Sequence, residues 1–373
     1  MKKTATITFH ASHNYGSMLQ SYALQQTILA LGVDNEILNL RTPVQKNGYA
    51  LPPETGLDLR SRINQTIISL FLGNYMRNRK AKWERFERFM AEHMKLTPEL
   101  SELTPGSPLA SAYDCYITGS DQCWNTTAFD FSWAYYLDFI SRGDKISYAS
   151  SIGPKSDSMD AEKARAMIAD FKSISVRDEG TRDFIRKLNG RETEILPDPT
   201  LLLRRKEWDK MAGDTPLEKG RYIFFYTPYI KPGLYDVADR LSRHLGLPLL
   251  ISNHTDHRAE ALLKIRGRLR TRLDSGPIEF LNLLRNATAV ITGSYHGLLF
   301  STIFHVPFWA YNGDTDLRMK QILDFYGFEG RHISGADVDE KAPQTFNIDF
   351  TASDAAIERG REAAIDYLKR NIL

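Results

Sequence analysis

Several short runs in this chain have the residue types and spacing to do chemistry. The first is Ala289-Val290-Ile291-Thr292-Gly293-Ser294-Tyr295-His296-Gly297. It reads as a buried strand over 289–292, a tight turn, and a helix from about Leu298. A turn of this kind aims backbone N–H groups and the positive end of the helix at one point, which suits an anion. His296 adds a ring that titrates near neutral pH, and Ser294 and Gly297 add a hydroxyl and an N–H donor. A second run, Asn14-Tyr15-Gly16-Ser17 with Gln20, follows a strand at the N-terminus. A third, Gly119-Ser120-Asp121-Gln122, follows the apolar run Cys115–Thr118. Ser150 closes another strand, Arg177-Asp178 follows Ser173–Val176, and Asp198 follows Glu194–Leu196. An imidazole, a guanidinium and a carboxylate at successive strand ends are the parts needed for acid–base chemistry on a substrate bearing phosphate or carboxylate.

Such residues act together only if one scaffold presents them together. Short apolar runs alternate with helical patterns throughout, which predicts an α/β fold with parallel sheets. The strands expected in the first half are Ala5–Phe9, Glu36–Leu40, Cys115–Thr118, Lys145–Ala149, Ser173–Val176 and Glu194–Leu196. Those expected in the second half are Tyr222–Tyr226, Leu249–Ser252, Ala289–Thr292 and Phe308–Tyr311. Ligands of such sheets bind beyond the carboxyl ends of the strands, where all the polar runs above fall. Helices are expected over Met18–Leu31, Asp58–Leu72 and Arg79–Met94, the last with Trp83, Phe86, Phe89 and Met90 as a core stripe. A polar stretch over 203–220 divides the chain into a domain over 1–205, carrying a helical insertion over about 41–111, and a domain over 206–350. A terminal helix over 351–373 follows.

With 373 residues the chain exceeds one ordinary core, and two domains are expected. The net charge of +2 gives no polyanion-binding signature, which argues against nucleic acid as a partner. Two cysteines, Cys115 and Cys123, are too few for a disulfide framework and lack metal-ligand spacing; with no leader-like segment at the N-terminus they point to the cytoplasm. No metal is expected, since His254-Thr255-Asp256-His257 falls on a loop without a convincing ligand set.

At these same runs the chain resembles the polysaccharide pyruvyl transferase family. The resemblance is carried by Asn14-Tyr15-Gly16-Ser17-Met18-Leu19-Gln20, Gly119-Ser120-Asp121-Gln122 with Trp124-Asn125, and Tyr148-Ala149-Ser150-Ser151-Ile152-Gly153. It continues through Ser175-Val176-Arg177-Asp178, Asp198-Pro199-Thr200-Leu201-Leu202, Gly276-Pro277, Ser294-Tyr295-His296-Gly297, Pro307-Phe308 and Asp316-Leu317-Arg318. It implies two Rossmann-like domains facing each other across a cleft, as in the GT-B fold. It implies transfer of a pyruvyl group from phosphoenolpyruvate, a donor substrate and not a cofactor, to a sugar as a cyclic ketal. The acceptor would be a glycan precursor, lipid-linked in the most natural case, bound by the first domain; the second would hold the donor.

Under that resemblance His296, Asp121 and Arg177 are the expected catalytic residues. Asn14, Gly16, Ser17, Gln20, Ser120, Gln122, Ser150, Ser294, Gly297 and Arg318 are expected to bind substrate. Each has a structural alternative. His296 could bond only its own turn, Arg177 could be an ion pair, Asp121 could cap a helix, and Gly297 could serve turn geometry. The alternating Arg266, Arg268, Arg270 and Arg272 are either a solvated face or a cradle for the diphosphate of a lipid-linked acceptor. Basic surface over 79–88 would allow peripheral association with the inner face of a membrane. Two other functions share the pattern: a nucleotide-sugar glycosyltransferase of the GT-B fold, and a non-catalytic glycan- or anion-binding relative.

Overall fold

The computed structural model describes residues 2–51, 66, 74–153, 161–313 and 315–373, so most of the expected helix Asp58–Leu72 lies outside the described residues. The chain forms two compact units. The first comprises Met1–Ala50, Met90–Leu203 and Ile357–Leu373; the second comprises Arg204–Ala356 with the described residues of Leu51–Phe89.

In chain order the first unit contains β1 (Lys3–Ile7), α1 (Tyr15–Ala30), β2 (Asp34–Ile37), α2 (Pro43–Tyr49) and the end of α3 (Tyr75–His93). It continues with β3 (Cys115–Thr118), β4 (Asp144–Ser150), α4 (Ala161–Ala169), β5 (Ser173–Val176), α5 (Glu179–Asn189) and β6 (Glu194–Ile195). The sheet order is β2-β1-β3-β4-β5-β6, with every pairing parallel. All four residues of β3 are buried, because a parallel strand covered by helices on both faces needs a continuous apolar run.

The second unit contains α6 (Arg205–Ala212), β7 (Ile223–Tyr226), α7 (Leu234–Leu245), β8 (Leu249–Ile251), α8 (His257–Ile265), β9 (Leu269–Thr271) and α9 (Pro277–Arg285). It continues with β10 (Ala289–Thr292), α10 (Tyr295–Phe304), β11 (Phe308–Tyr311), α11 (Leu317–Phe325), β12 (His332–Ile333), α12 (Val338–Lys341) and the start of α13 (Thr351–Ile372). Its sheet is also parallel throughout, in the order β12-β11-β10-β7-β8-β9. β9 and β12 are strands that apolar periodicity does not announce. β9 is an edge strand interrupted by an exposed arginine, and β12 has only two residues.

Two helices divide differently from the sequence expectation. Residues of the expected first-domain insertion belong to the second unit as far as Phe89. Arg85 of α3 donates to the Asp274 carbonyl at 2.6 Å and to its carboxylate at 2.8 Å, and approaches Glu279 at 3.4 Å. A Cβ on Gly276 would lie 2.5 Å from that of Arg85, so only glycine lets the helix settle there. The terminal helix α13 is not separate: from Ile357 on it completes the first unit. The Tyr367 hydroxyl donates to the Ser147 carbonyl of β4 at 2.7 Å, and Arg361 donates to the carbonyls of Leu201 and Leu202. Ala364, Tyr367, Leu368 and Ile372 share a core with Ile117, Ile146 and Tyr148.

Replacing the fully buried Tyr367 with alanine is therefore expected to cost the first unit about 3–5 kcal/mol, by analogy with other large-aromatic truncations. Tyr367→Phe, which removes one of two donors to the Ser147 carbonyl and leaves the Ser175 hydroxyl on it, should cost about 0.5–1.5 kcal/mol. Urea unfolding of both variants checks the order; equal losses would mean that the ring contributes nothing.

Candidate functional site

Each sheet reverses its winding direction once, and the crevice left at such a reversal is where α/β folds bind ligands. In the first unit the reversal lies between β1 and β3, which are hydrogen-bonded neighbours. The loop after β1 leads into α1, where Asn14 is the N-cap and its side chain accepts from the N–H groups of Gly16 and Ser17. Ser17 then reaches across the reversal, its hydroxyl donating to the Asp121 carboxylate at 2.5 Å. Asp121 caps no helix. Its φ is +73°, its carbonyl accepts from the Ser151 N–H at 2.9 Å, and its other carboxylate oxygen faces Arg177 at 3.4 Å.

Arg177 is held between two carboxylates. It donates to Asp198 at 3.0 Å as well as to Asp121, with side-chain exposures of 3% for Arg177, 12% for Asp121 and 0% for Asp198. Asp198 is fixed in turn by the N–H and hydroxyl of Thr200. This is the ion-pair arrangement, so Arg177 orients Asp121; its guanidinium is committed to protein carboxylates. Ser120 and Ser150 are fully buried and donate to the carbonyls of Ala149 and Gly119, which places them in the scaffold of the β3 and β4 ends. Gln122 accepts from Asn125 at 2.8 Å, and Gln20 donates to Thr8, Ser17 and Ser21. Of the expected binding residues in this unit, Ser17 alone bonds directly to Asp121. A nearby carboxylate missed in sequence is Asp130, which accepts from Ser12 at 3.1 Å and Tyr49 at 3.2 Å. Burial pushes its carboxyl above the usual range, with the Asp121 charge adding to the effect.

In the second unit the reversal lies between β7 and β10. Ser294 is the N-cap of α10, with its hydroxyl accepting from the Gly297 N–H at 3.4 Å. A Cβ on Gly297 would lie 2.3 Å from the Thr292 hydroxyl, so glycine is required for close packing here. His296 is buried in the first turn of the helix, its ring 5.2 Å from that of Tyr295. Lys231 reaches this turn from the loop after β7, and Arg318 in the first turn of α11 is linked to it through Asp316. Lys231, after β7, has its stem against Gly293, where a Cβ would come within 2.9 Å of the lysine chain. Arg318, after β11, approaches Asp316 at 3.5 Å, and Asp316 lies 3.7 Å from the Lys231 ammonium. The Nε of Arg318 is buried without a hydrogen-bond partner among the described residues. Burial pulls the Lys231 amine below its ordinary range; Asp316 holds it up and Arg318 pushes it down. Two cations, one carboxylate and the positive end of a ten-residue helix make a net anion site. Lys231 was missed in sequence because its relevance depends on the sheet order, which sets β7 beside β10.

The arginines of the basic run are ion-paired: Arg266 and Arg268 pair with Asp239, Arg270 pairs with Glu218, and Arg272 lies near Glu218 and Asp274. Among the described residues there is no cluster of three or more His, Cys, Asp or Glu that could hold a metal ion. No helix among them is long and apolar enough to cross a membrane.

Comparison with known proteins bears on this geometry. The family described as polysaccharide pyruvyl transferase matches residues 14–315. No curated protein matches the sequence significantly. Solved structures that resemble the chain include a candidate UDP-N-acetylglucosamine 2-epimerase from Listeria monocytogenes. It has a TM-score of 0.56 at 12% identity, over 98% of this chain and 94% of that one. UDP-GlcNAc 2-epimerase from Neisseria meningitidis, bound to UDP-GlcNAc, gives a TM-score of 0.54 at 9% identity over 100% of both chains. The S. aureus MnaA–UDP structure gives 0.52 at 12% identity over 100% of this chain and 98% of its own. At such identities the likeness is one of fold, and that fold is of the GT-B type.

Removing the cation from the buried triad tests its role. Arg177→Met is expected to destabilise the first unit by about 3–5 kcal/mol, because it leaves two carboxylates uncompensated; a change under about 1 kcal/mol in urea unfolding would show that the triad is relaxed by water. In the second unit, anion binding needs Lys231 protonated, so affinity falls as pH rises through the pKa of its amine. Asp316→Asn removes the group that holds that pKa up and should move the loss of affinity to lower pH. Calorimetric titration with phosphoenolpyruvate at several pH values reads this directly, and superimposable profiles for variant and wild type would refute it.

Proposed function

The chain belongs to the polysaccharide pyruvyl transferase family, and on that premise we propose that it moves a pyruvyl group from phosphoenolpyruvate to a sugar of a surface-polysaccharide precursor, closing a cyclic ketal. The observation that carries this reading is the cation-bearing turn of the second unit. Lys231, Arg318 and the amino end of α10 suit a donor with both a phosphate and a carboxylate. His296, in the first turn of that helix, is the proposed phosphate partner and the proposed proton donor to the methylene carbon.

In the reaction the methylene carbon of phosphoenolpyruvate gains a proton and becomes the methyl group. One sugar hydroxyl attacks the central carbon, and phosphate leaves with the electron pair of the C–O bond. The second hydroxyl then bonds to the same carbon. One hydroxyl proton is accounted for by the methyl group and the other leaves with phosphate, so no cofactor is needed. Asp121, oriented by Ser17 and Arg177, is the proposed base for the acceptor in the first unit. A lipid-linked acceptor would bring the enzyme to the cytoplasmic face of the membrane.

Incubation with phosphoenolpyruvate and a panel of lipid-linked saccharides should give products heavier by pyruvate minus water, with an equal amount of inorganic phosphate. His296→Gln should lower the rate by about 10²–10⁴-fold, the range for loss of an acid–base group. Thermal shift discriminates the main alternative. Stabilisation by nucleotide sugars and none by phosphoenolpyruvate would replace this reading with that of a nucleotide-sugar enzyme, the class to which several fold neighbours belong.

A further inference from the structure

The loop after β8 carries a histidine built into an arrangement that the roles above do not use. The Nδ1 of His254 lies 2.5 Å from a carboxylate oxygen of Glu260, whose side chain is 0% exposed. The other oxygen of Glu260 accepts from the N–H groups of Thr255 at 2.9 Å and Asp256 at 3.1 Å, and from the Tyr235 hydroxyl. Four donors therefore converge on one buried carboxylate. Two of them, the N–H groups of Thr255 and Asp256, already pin the loop to α8, so the imidazole is not needed for that task. A carboxylate surrounded by donors takes the hydrogen from Nδ1 and leaves the lone pair on Nε2. The side chain of His254 is 15% exposed. A ring with one nitrogen fixed on a buried carboxylate and the other open is how proton-transferring histidines are held in their working tautomer.

Its loop lies beside the loop that carries Lys231, within the same unit. β8 pairs with β7, and Asn253 donates to the Thr227 carbonyl at the start of the β7–α7 loop, at 2.6 Å. That loop carries Lys231 and ends in α7, where Tyr235 reaches Glu260. Glu260 thus ties the loop bearing His254 to the first turn of α7, the helix that follows the loop bearing Lys231. The groups facing His254 are Glu260, His257 with its ring at 6.2 Å, and Tyr75 of α3 edge-on at 5.4 Å. Lys82 of α3 donates to the nearby Ser252 carbonyl.

We propose that His254, oriented by Glu260, is a further proton-transfer residue of the pyruvyl transfer, serving the hydroxyl that closes the ketal. This rests on the pyruvyl-transfer reading. As that oxygen bonds to the central carbon, whose C–O bond to phosphate has already broken, the hydroxyl proton passes to Nε2. The ring then returns it to the released phosphate, which has left with the bonding pair. Glu260 acts through His254 and is a positioning residue.

The test is ketal formation by full-length His254→Ala and His254→Gln, with phosphoenolpyruvate and the acceptor that serves the wild type. Both should lose about 10²–10⁴-fold in kcat, with KM for phosphoenolpyruvate and the thermal midpoint near wild type. Added imidazole should restore activity to His254→Ala, and the acidic limb of the wild-type pH–rate profile should be absent from His254→Gln. Wild-type rates in both variants, or a loss that imidazole does not rescue and that comes with a lowered thermal midpoint, would overturn the proposal alone. Absence of ketal product from the wild type would overturn the transfer reading and this inference with it.

Discussion

A parallel sheet that starts in its middle must reverse its winding direction, and that constraint positions the central candidate residues of each unit. In the first unit the chain leaves β1 for β2 on one side and returns to β3 on the other. In the second it leaves β7 for β8 and β9, then returns to β10. Right-handed crossovers in opposite directions draw the two central loops apart. The gap exposes the amino ends of the helices that follow, α1 and α10, beside whatever the neighbouring loops bring. Ser17 and Asp121 meet at one reversal; Lys231 and Ser294 flank the other.

The two reversals are completed by opposite electrostatics. In the first unit the charges are closed upon one another: Asp121, Arg177 and Asp198 are buried, paired and hydrogen-bonded. Taking such charges out of water costs several kcal/mol each, and the pairing offsets this only because the geometry is nearly complete. The result is a carboxylate of fixed direction with part of its surface open. In the second unit the charges are left open: Asp316 lies more than 3.4 Å from each of its two cations, and Arg318 keeps an unused donor. An arrangement with more cation than anion, beside a helix amino end, is incomplete without an added anion. One unit therefore holds a pre-set carboxylate and the other holds an anion site.

The sheets were largely legible in the sequence because buried parallel strands are continuous apolar runs. Cys115–Thr118, Ala289–Thr292 and Phe308–Tyr311 carry that signal, while Ser173–Val176 alternates serine with an aliphatic residue. β9 was hidden because its one arginine, Arg270, serves an ion pair at a sheet edge, and α3 was assigned to one unit because no local pattern records which core a helix stripe will meet. The site was legible at the level of loops but not of atoms. Polar residues at strand ends mark where chemistry belongs, yet Ser120 and Ser150 turn inward to neighbouring carbonyls while Ser17 turns to a carboxylate. Local sequence does not encode that choice, which follows from the register between β3 and β4. Lys231 was overlooked, and His254 was weighed only as a metal ligand, for a related reason. Each gains its meaning from a partner on another loop, Gly293 in one case and Glu260 in the other.

Backbone strain gives a separate reason to regard Asp121 as more than a structural acid. Asp121 and Ala149 sit on adjacent strand ends in the left-handed region, at φ of +73° and +50°, where non-glycine residues are disfavoured by about 1–3 kcal/mol each. Ala149 is fully buried, and glycine at either position would relieve the strain. The strain is maintained by several bonds at once: Ser120 to the Ala149 carbonyl, the Ser151 N–H to the Asp121 carbonyl, and Arg177 to the Asp121 carboxylate. A carboxylate needed only to neutralise Arg177 could be offered from a relaxed backbone, as Asp198 offers one from a φ of −55°. The left-handed turn at Asp121 instead directs its side chain back toward Ser17, across the reversal where β1 and β3 part. Strain held in place by this many contacts is better explained by a requirement on where the carboxylate points than by a requirement on its charge.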